Sequence, residues 1–287
     1  MRVAAVILNF NSYEDTKQCV SGLKKQSGVD TEIIIVDNYS DRPNEIENLR
    51  NICLETSSLL LCASNNSGYN AGNNIGIKYA IDNGFQYILI ANPDMIFRDS
   101  LYIKKMLLAA EKDSEIAVVG SDILTPEGHH QNPISFKEEC FFDNFSWIKN
   151  LFFPHKEKSY DWNTSYQKSR ICSVLNGCCL LIKTDFLKRI GCFDERVFLF
   201  GEEKILGAQV RKTGYKMFYY GEIQAIHNHS QKKEGNQWHR LRTLKHSEMV
   251  YLKYHSNYSL FLKFILWIQL HLKYLLLFVK YKNIQNG

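Results

Sequence analysis

The sequence predicts an α/β fold built on a mostly parallel central sheet flanked by helices. Two observations carry this. Apolar runs at residues 3–8, 31–36 and 87–91 lack polar alternation, as strands covered on both faces do. Each run stops in a polar turn: Asn9-Phe10-Asn11-Ser12, Asp37-Asn38-Tyr39-Ser40-Asp41 and Asn92-Pro93-Asp94. Helices between such strands give right-handed βαβ units, and ligands bind where the carboxyl ends of the strands open.

In order, strand 3–8 leads through a polar turn that can cap a helix over 13–25. Strand 31–36 follows, then a short strand at 59–62 and a Gly/Asn-dense stretch, 65–76, read as a loop entering a helix near 77–80. Strand 87–91 ends at Asn92-Pro93-Asp94, because proline cannot donate to the ladder. A helix at 101–111 and a strand at 116–119 come next. Periodicity fades over 125–169, which reads as a functional loop or lid rather than a linker. Order returns as one apolar strand at 171–182, interrupted by Asn176-Gly177, and a helix at 184–190 closed by Gly191. The acids Glu202-Glu203 then open a helix over 204–213, a placement the helix dipole favours whatever the acids do.

Composition narrows the class. With 287 residues, 45% apolar and 23% charged, the chain can bury a large core. Residues 3–8 are too short for a secretory apolar region, so a cytoplasmic protein is expected. The eight cysteines form no CxxC spacing, which favours reduced, mostly buried thiols. Residues 231–287 hold ten Lys/Arg against two Glu; this +8 within a total of +5 leaves the remainder near −3. A division into 1–230 and a basic extension, 231–287, follows.

Taken together, the blocks 6–11, 36–40, 66–76, 92–94, 191–195 and 198–203 resemble bacterial family 2 glycosyltransferases of the GT-A fold, in particular rhamnosyltransferase-like members that build cell-surface polysaccharides. The resemblance implies inverting transfer of a sugar from a nucleoside diphosphate donor to an acceptor hydroxyl, with Mn²⁺ or Mg²⁺. Asp94 occupies the metal position of the family's degenerate DxD motif, here Asn92-Pro93-Asp94, and Asn92 lies beside it on the nucleotide. Asp37 matches the residue that accepts the imide N–H of uracil or thymine, which points to a UDP- or dTDP-sugar, with dTDP-rhamnose a possibility. Asn9, Asn11, Asn38, Gly68 and Asn73 would complete the nucleoside pocket. Glu202 and Glu203 stand where the family keeps its general base, with Glu203 in the usual place of Asp and Ile205 replacing a later Asp. His229 fits a third metal or diphosphate contact, ahead of His227. Acceptors of such enzymes are often polyprenyl-diphosphate-linked glycans. Because of Glu203 and Ile205, a transfer-deficient sugar-nucleotide-binding subunit stays open as an alternative. A nucleotidyltransferase would need a Gly-rich loop with Arg and Lys after the first strand, and 9–12 has none.

In the tail, residues 259–280 are apolar apart from Lys263, Gln269, His271, Lys273 and Lys280, with no uncharged run of 18, so a spanning helix is disfavoured. On a helix Gln269, Lys273 and Lys280 fall within roughly 40° of one another. A basic stripe beside an apolar face, with Trp267 and Tyr274 as anchors, suits a helix lying on an anionic membrane surface, peripheral to the inner face of the cell membrane. Packing on the catalytic domain, or on a second subunit in a homodimer, is the other reading. The stripe carries no nucleic-acid-reading motif.

Overall fold

The computed structural model describes residues 1–148, 166–228 and 237–285. Among the described residues nine strands form one sheet: β1 (Arg2–Asn9), β2 (Asp30–Asp37), β3 (Leu59–Cys62), β4 (Tyr87–Ala91), β5 (Met95–Ile96), β6 (Ile116–Leu124), β7 (Arg170–Cys172), β8 (Cys179–Lys183) and β9 (Lys216–His227). Their order is β3-β2-β1-β4-β8-β6-β9-β5, with β7 also on β9. The half β3-β2-β1-β4 is parallel. Beyond it β8 inserts antiparallel between β4 and β6, while β6 and β9 run parallel.

Helices α1 (Tyr13–Lys24), α2 (Glu45–Thr56) and α4 (Tyr102–Ala110) cover one face, where Leu23, Leu49, Tyr102 and Met106 join a core with Ile7 and Ile35. Helices α3 (Tyr69–Asp82), α5 (Thr184–Ile190) and α6 (Glu202–Lys212) cover the other, where Ile77, Phe186 and Leu206 meet Val6 and Ile90. Both faces of β1 and β4 are thus buried, as their unbroken apolar runs require.

Two segments differ from the sequence reading. The Gly/Asn-dense stretch is mostly helix, since α3 begins at Tyr69. Its glycines serve packing: a Cβ at Gly72 would lie 2.5 Å from Leu8 Cδ1, and one at Gly76 would lie 2.6 Å from Val6 Cγ1. The apolar run 171–182 splits into β7 and β8, which sit in different parts of the sheet. The split is held by Asn176, whose N–H donates to Asn132 Oδ1 (2.9 Å) and whose own Oδ1 accepts Cys178 N–H (3.0 Å).

The tail folds as α7 (Gln237–Val250), a π-helical turn (Tyr251–His255) and α8 (Leu260–Gln285). Helix α8 buries Leu266, Leu270 and Tyr274 with Leu241 and Leu252. Gln269 and Lys273, two residues of the stripe expected to face a membrane, turn inward, and the Lys280 side chain lies outside the described residues. Gln269 Nε2 donates to the Asn144 carbonyl at 2.8 Å, and Lys273 Nζ pairs with Glu248 at 2.7 Å. Tyr274, expected as an interfacial anchor, is 2% exposed. The opposite face is apolar and open, with Phe261, Phe264, Leu272, Leu275 and Val279 each more than half exposed. Leu260–Val279 is long and apolar enough to cross a membrane by length and composition alone, with Lys263 and Lys273 inside it.

Candidate active site

A cleft of about 510 Å³ opens at the carboxyl ends of β1, β2 and β4, lined by Phe10, Asn38, Gly68, Tyr69, Asn92 and Asp94. Strand β5 returns to pair Met95 with His227 at the end of β9, and Asn228 N–H donates to the Asp94 carbonyl at 2.9 Å. This pairing sets Asp94 Oδ1 3.2 Å from His227 Nε2, while His227 Nδ1 lies 2.9 Å from Gln131 Oε1. Alternation along β9 thus brings His227 to Asp94; His229 lies outside the described residues. One carboxylate and one imidazole side by side form a donor set for a divalent ion that leaves positions for phosphate oxygens and water. Among the described residues no third His, Cys, Asp or Glu completes a closed cage.

The polar turn after β1 differs from its expected role. Asn9 is fully buried: its amide N–H groups reach Asp37 Oδ1 (3.0 Å) and Glu45 Oε1 (3.0 Å), and its oxygen accepts from Thr16 Oγ1 (2.9 Å). With its donors and acceptor engaged, it supports Asp37 from beneath and does not face the cleft. Asn11, at φ 54, accepts from the backbone of Asp41 and Arg42 (3.0 Å each) and so pins the β1 turn to the β2 turn. Asp37 accepts Ser40 N–H on Oδ2 (3.0 Å), and Ser40 Oγ–H (2.6 Å) and the Asn9 amide on Oδ1. Asn38 lines the cleft and donates to Asn66 Oδ1 at 3.1 Å. Asn73 is buried, donates to the Tyr69 carbonyl one turn back (3.0 Å) and does not line this cleft.

Gly68 lies where the cleft floor meets the loop after α5. Its φ is +101, and a Cβ there would stand 2.3 Å from the Phe198 carbonyl oxygen, which accepts Tyr69 N–H at 2.8 Å. Only glycine fits that approach.

The acid pair sits on the far side of Tyr69. The Tyr69 hydroxyl lies 3.0 Å from both Asn92 Oδ1 and the Gly177 carbonyl, bridging the Asp94 turn to the wall beside Glu203. A Cβ on Gly177 would stand 3.4 Å from Glu203 Cγ. Burial, then the charge of its neighbour, pushes Glu202 up to about 8; burial raises Glu203 as well. Between them the pair therefore holds a proton readily at neutral pH.

The loop leading to these acids is clamped from two directions. From α3, Asn70 Nδ2 donates to the Asp194 carbonyl (2.8 Å), and Asn74 exchanges two hydrogen bonds of 2.9 Å with the Phe193 backbone. From the tail, His255 Nε2 meets Asp194 Oδ2 at 2.5 Å, and Ser247 Oγ donates to the Leu199 carbonyl at 3.1 Å. Arg196 forks onto the same Asp194 carboxylate at 2.8 and 2.7 Å. Burial would raise Asp194, yet the hydrogen bonds from Arg196 and His255 hold it down at about 2. Sequence reasoning missed Tyr69, Ser40, Asp194 and His255 as parts of this site. Asn-Gly density was a signal for the loop clamp, but nothing local links His255 to a partner 61 residues away.

Comparison with known proteins agrees with this architecture. The profile of glycosyl transferase family 2 matches residues 4–191. A low-salt glycan biosynthesis hexosyltransferase of Haloferax volcanii is 26% identical over 228 residues, covering 79% of this chain and 67% of that one. An N-acetylglucosaminyl-diphospho-decaprenol L-rhamnosyltransferase of Mycobacterium tuberculosis is 24% identical over 148 residues, 50% of this chain and 47% of the relative, so the chain spans about half of that protein's length. Among solved structures, a mannosyltransferase of Pyrobaculum calidifontis in complex with GDP-Man and Mn²⁺ superposes with a TM-score of 0.61 at 14% identity, covering 94% of this chain and 69% of that one. GalNAc-T7 with UDP, GalNAc and Mn²⁺ gives 0.62 at 14% identity, covering 82% and 44%. The sheet, the cleft at its carboxyl edge and the profile match over most of residues 1–230 lead to one assignment: the chain belongs to glycosyl transferase family 2, with the GT-A fold.

Proposed function

We propose that residues 1–230 transfer a sugar, with inversion, from a UDP- or dTDP-sugar to a hydroxyl of a lipid-linked glycan, and that 231–287 hold the enzyme at the inner face of the membrane. The observation that carries the reading is the position of Tyr69, which lines the Asp94 cleft and, through Asn92 Oδ1 and the Gly177 carbonyl, links the Asp94 turn to the wall of the adjoining pocket that holds Glu202 and Glu203.

Asp94 and His227 would hold the divalent ion, Mn²⁺ or Mg²⁺, and when bound it neutralises the charge that develops on the leaving diphosphate. Asp37 is 1% exposed at the head of β2, beside the cleft-lining Asn38; its Oδ2, which among the described residues accepts only Ser40 N–H, is the atom suited to an imide N–H, and this favours uracil or thymine. Glu203, or Glu202 beside it, accepts the acceptor hydroxyl's proton as that oxygen attacks. The buried pair excludes water from this proton transfer, and Tyr69 keeps Asn92 and the Gly177 wall at a fixed separation. The Mycobacterium relative's own lipid-diphosphate acceptor supports a polyprenyl-diphosphate-linked acceptor here, and its rhamnosyl transfer supports dTDP-rhamnose as a donor. The open apolar face of α8 supports membrane contact.

Calorimetric titration with UDP and with dTDP, each with and without Mn²⁺, tests the donor site. Metal-dependent binding of one of them is expected; no binding of either would remove the donor assignment. A transfer-deficient binding subunit is the second reading, favoured by Ile205, which is 1% exposed and packs with Val197 and Val250 where the resemblance places an acid. It predicts donor binding without turnover on any acceptor.

A further inference from the structure

The π-helical turn and the first turns of α8 enclose a groove of about 750 Å³, walled by Met249, Leu260, Phe264 and Trp267. Its apolar walls stay open to solvent, with Leu260 86%, Phe264 59% and Trp267 44% exposed. Lys253 and Lys263 also line this groove. Lys263 Nζ donates to the Lys253 carbonyl at 3.1 Å, so the two are tied together. Lys212 Nζ reaches the Tyr254 carbonyl at 3.0 Å, and the Arg196 guanidinium stacks 3.8 Å over the Tyr254 ring. Among the described residues, none of Lys212, Lys253 and Lys263 has a carboxylate within ion-pair distance. Each ammonium keeps donors for an anion.

An apolar trough with unneutralised lysines at its lip is complementary to an amphiphile with a long hydrocarbon chain and a multiply charged head. A flat bilayer surface would be met by the outer row of α8, Phe261, Leu272, Leu275 and Val279; the concave trough fits a single chain. Lys253 Nζ lies 4.8 Å from the centroid of the Tyr254 ring on which Arg196 also stacks, and Arg196 belongs to the loop that ends at Glu202-Glu203. We propose that this groove binds the isoprenoid chain of a lipid diphosphate, with its head on Lys253 and Lys263. The proposal rests on the lipid-linked acceptor read above, and it names where the carrier lipid of that acceptor would sit.

Farnesyl diphosphate is a soluble probe of both parts, and inorganic pyrophosphate and farnesol each supply one. Calorimetry should show farnesyl diphosphate binding at least about tenfold more tightly than either control, since each charge-assisted contact contributes on that order. Trp267 fluorescence should change with the farnesyl compound and not with pyrophosphate. Lys253→Glu/Lys263→Glu should weaken farnesyl diphosphate about tenfold or more, and Phe264→Ser should weaken farnesyl diphosphate while leaving pyrophosphate unaffected. Lys253 is exposed and Lys263 half-buried, and neither belongs to the core, so the charge reversal leaves the core residues in place. Equal binding of pyrophosphate and farnesyl diphosphate, or an affinity unchanged by the charge reversal, would overturn the proposal. UDP titration of the same samples reports on the donor cleft alone, so a failed lipid site and a failed donor site give different results.

Discussion

Asp194→Asn isolates the clamp between the tail and the loop that carries the acid pair. In the native protein Asp194 is held down at about 2, below its ordinary 3.8. At about 1.4 kcal/mol per unit the full shift would correspond to roughly 2.4 kcal/mol. Arg196, however, is 46% exposed, and solvent screening reduces its share, so about 1–2 kcal/mol is expected. For a chain of this size that lowers the melting temperature by roughly 3–6 °C. A depressed carboxylate stabilises above its unfolded pKa, so the gap between parent and variant should be complete at pH 5 and higher. It should shrink as pH falls from 3.8 toward 2. Burial holds His255 below 6.5 despite Asp194, so at pH 7 the imidazole is largely neutral and its Nε2–H donates to the carboxylate. His255→Asn should therefore lose part of the same interaction, and the double variant should cost less than the sum of the singles by about 0.5 kcal/mol or more. Melting curves across pH, with limited proteolysis over 194–201, measure all of this. Strictly additive costs, or a melting temperature at pH 7.5 within about 1 °C of the parent, would refute the clamp.

Glu203→Gln should lower transfer by roughly 10²–10⁴-fold while nucleotide binding stays intact; an active variant would move the base to Glu202. Because the base must be ionised and burial raises Glu202 to about 8 and Glu203 in the same direction, the transfer rate should climb with pH through the neutral range and level off above about 8. A pH-independent rate from 6 to 9 would contradict this. Asp94→Asn should remove the Mn²⁺ dependence of nucleotide binding, and His227→Ala should weaken it; calorimetry that shows no change in either would take these residues out of the metal site. Gly76→Val sets side-chain atoms against Val6 and Val36, already 2.6 and 3.1 Å from a bare Cβ, and should cost about 1–3 kcal/mol by urea unfolding. Leu272→Glu/Leu275→Glu, on the open face of α8, should release the protein from anionic vesicles in flotation while the fold is retained; continued co-flotation would remove that face from the membrane.

The parallel half of the sheet was legible because burial on both faces leaves no freedom in residue type: Val3–Leu8 and Tyr87–Ala91 could hardly be anything else. The Asp94 turn was legible for the same reason, since the proline that ends β4 fixes where the carboxylate emerges. What escaped was whatever depends on a partner distant in sequence. Asn70, Asn73 and Asn74 look like ligand-facing loop residues, yet their amides hold neighbouring backbone, because a helix seated this close to strands needs small residues at Gly72 and Gly76 and polar ones where it meets the acid loop. The tail shows the limit most clearly. Helical periodicity located the stripe of Gln269 and Lys273 correctly, but periodicity contains no information on which side is inside. That was decided by Glu248 on α7 and by the Asn144 carbonyl, which give the stripe partners within the protein. The inner side of α8 takes these polar groups together with Leu266, Leu270 and Tyr274, and a second set of apolar residues is left facing outward. Helix α8 is therefore apolar on both sides, unlike a surface helix of a soluble protein. The same tail also carries His255 and Ser247 onto the loop of the acid pair, so whatever covers the apolar face of α8 bears on the module that holds the candidate base in place.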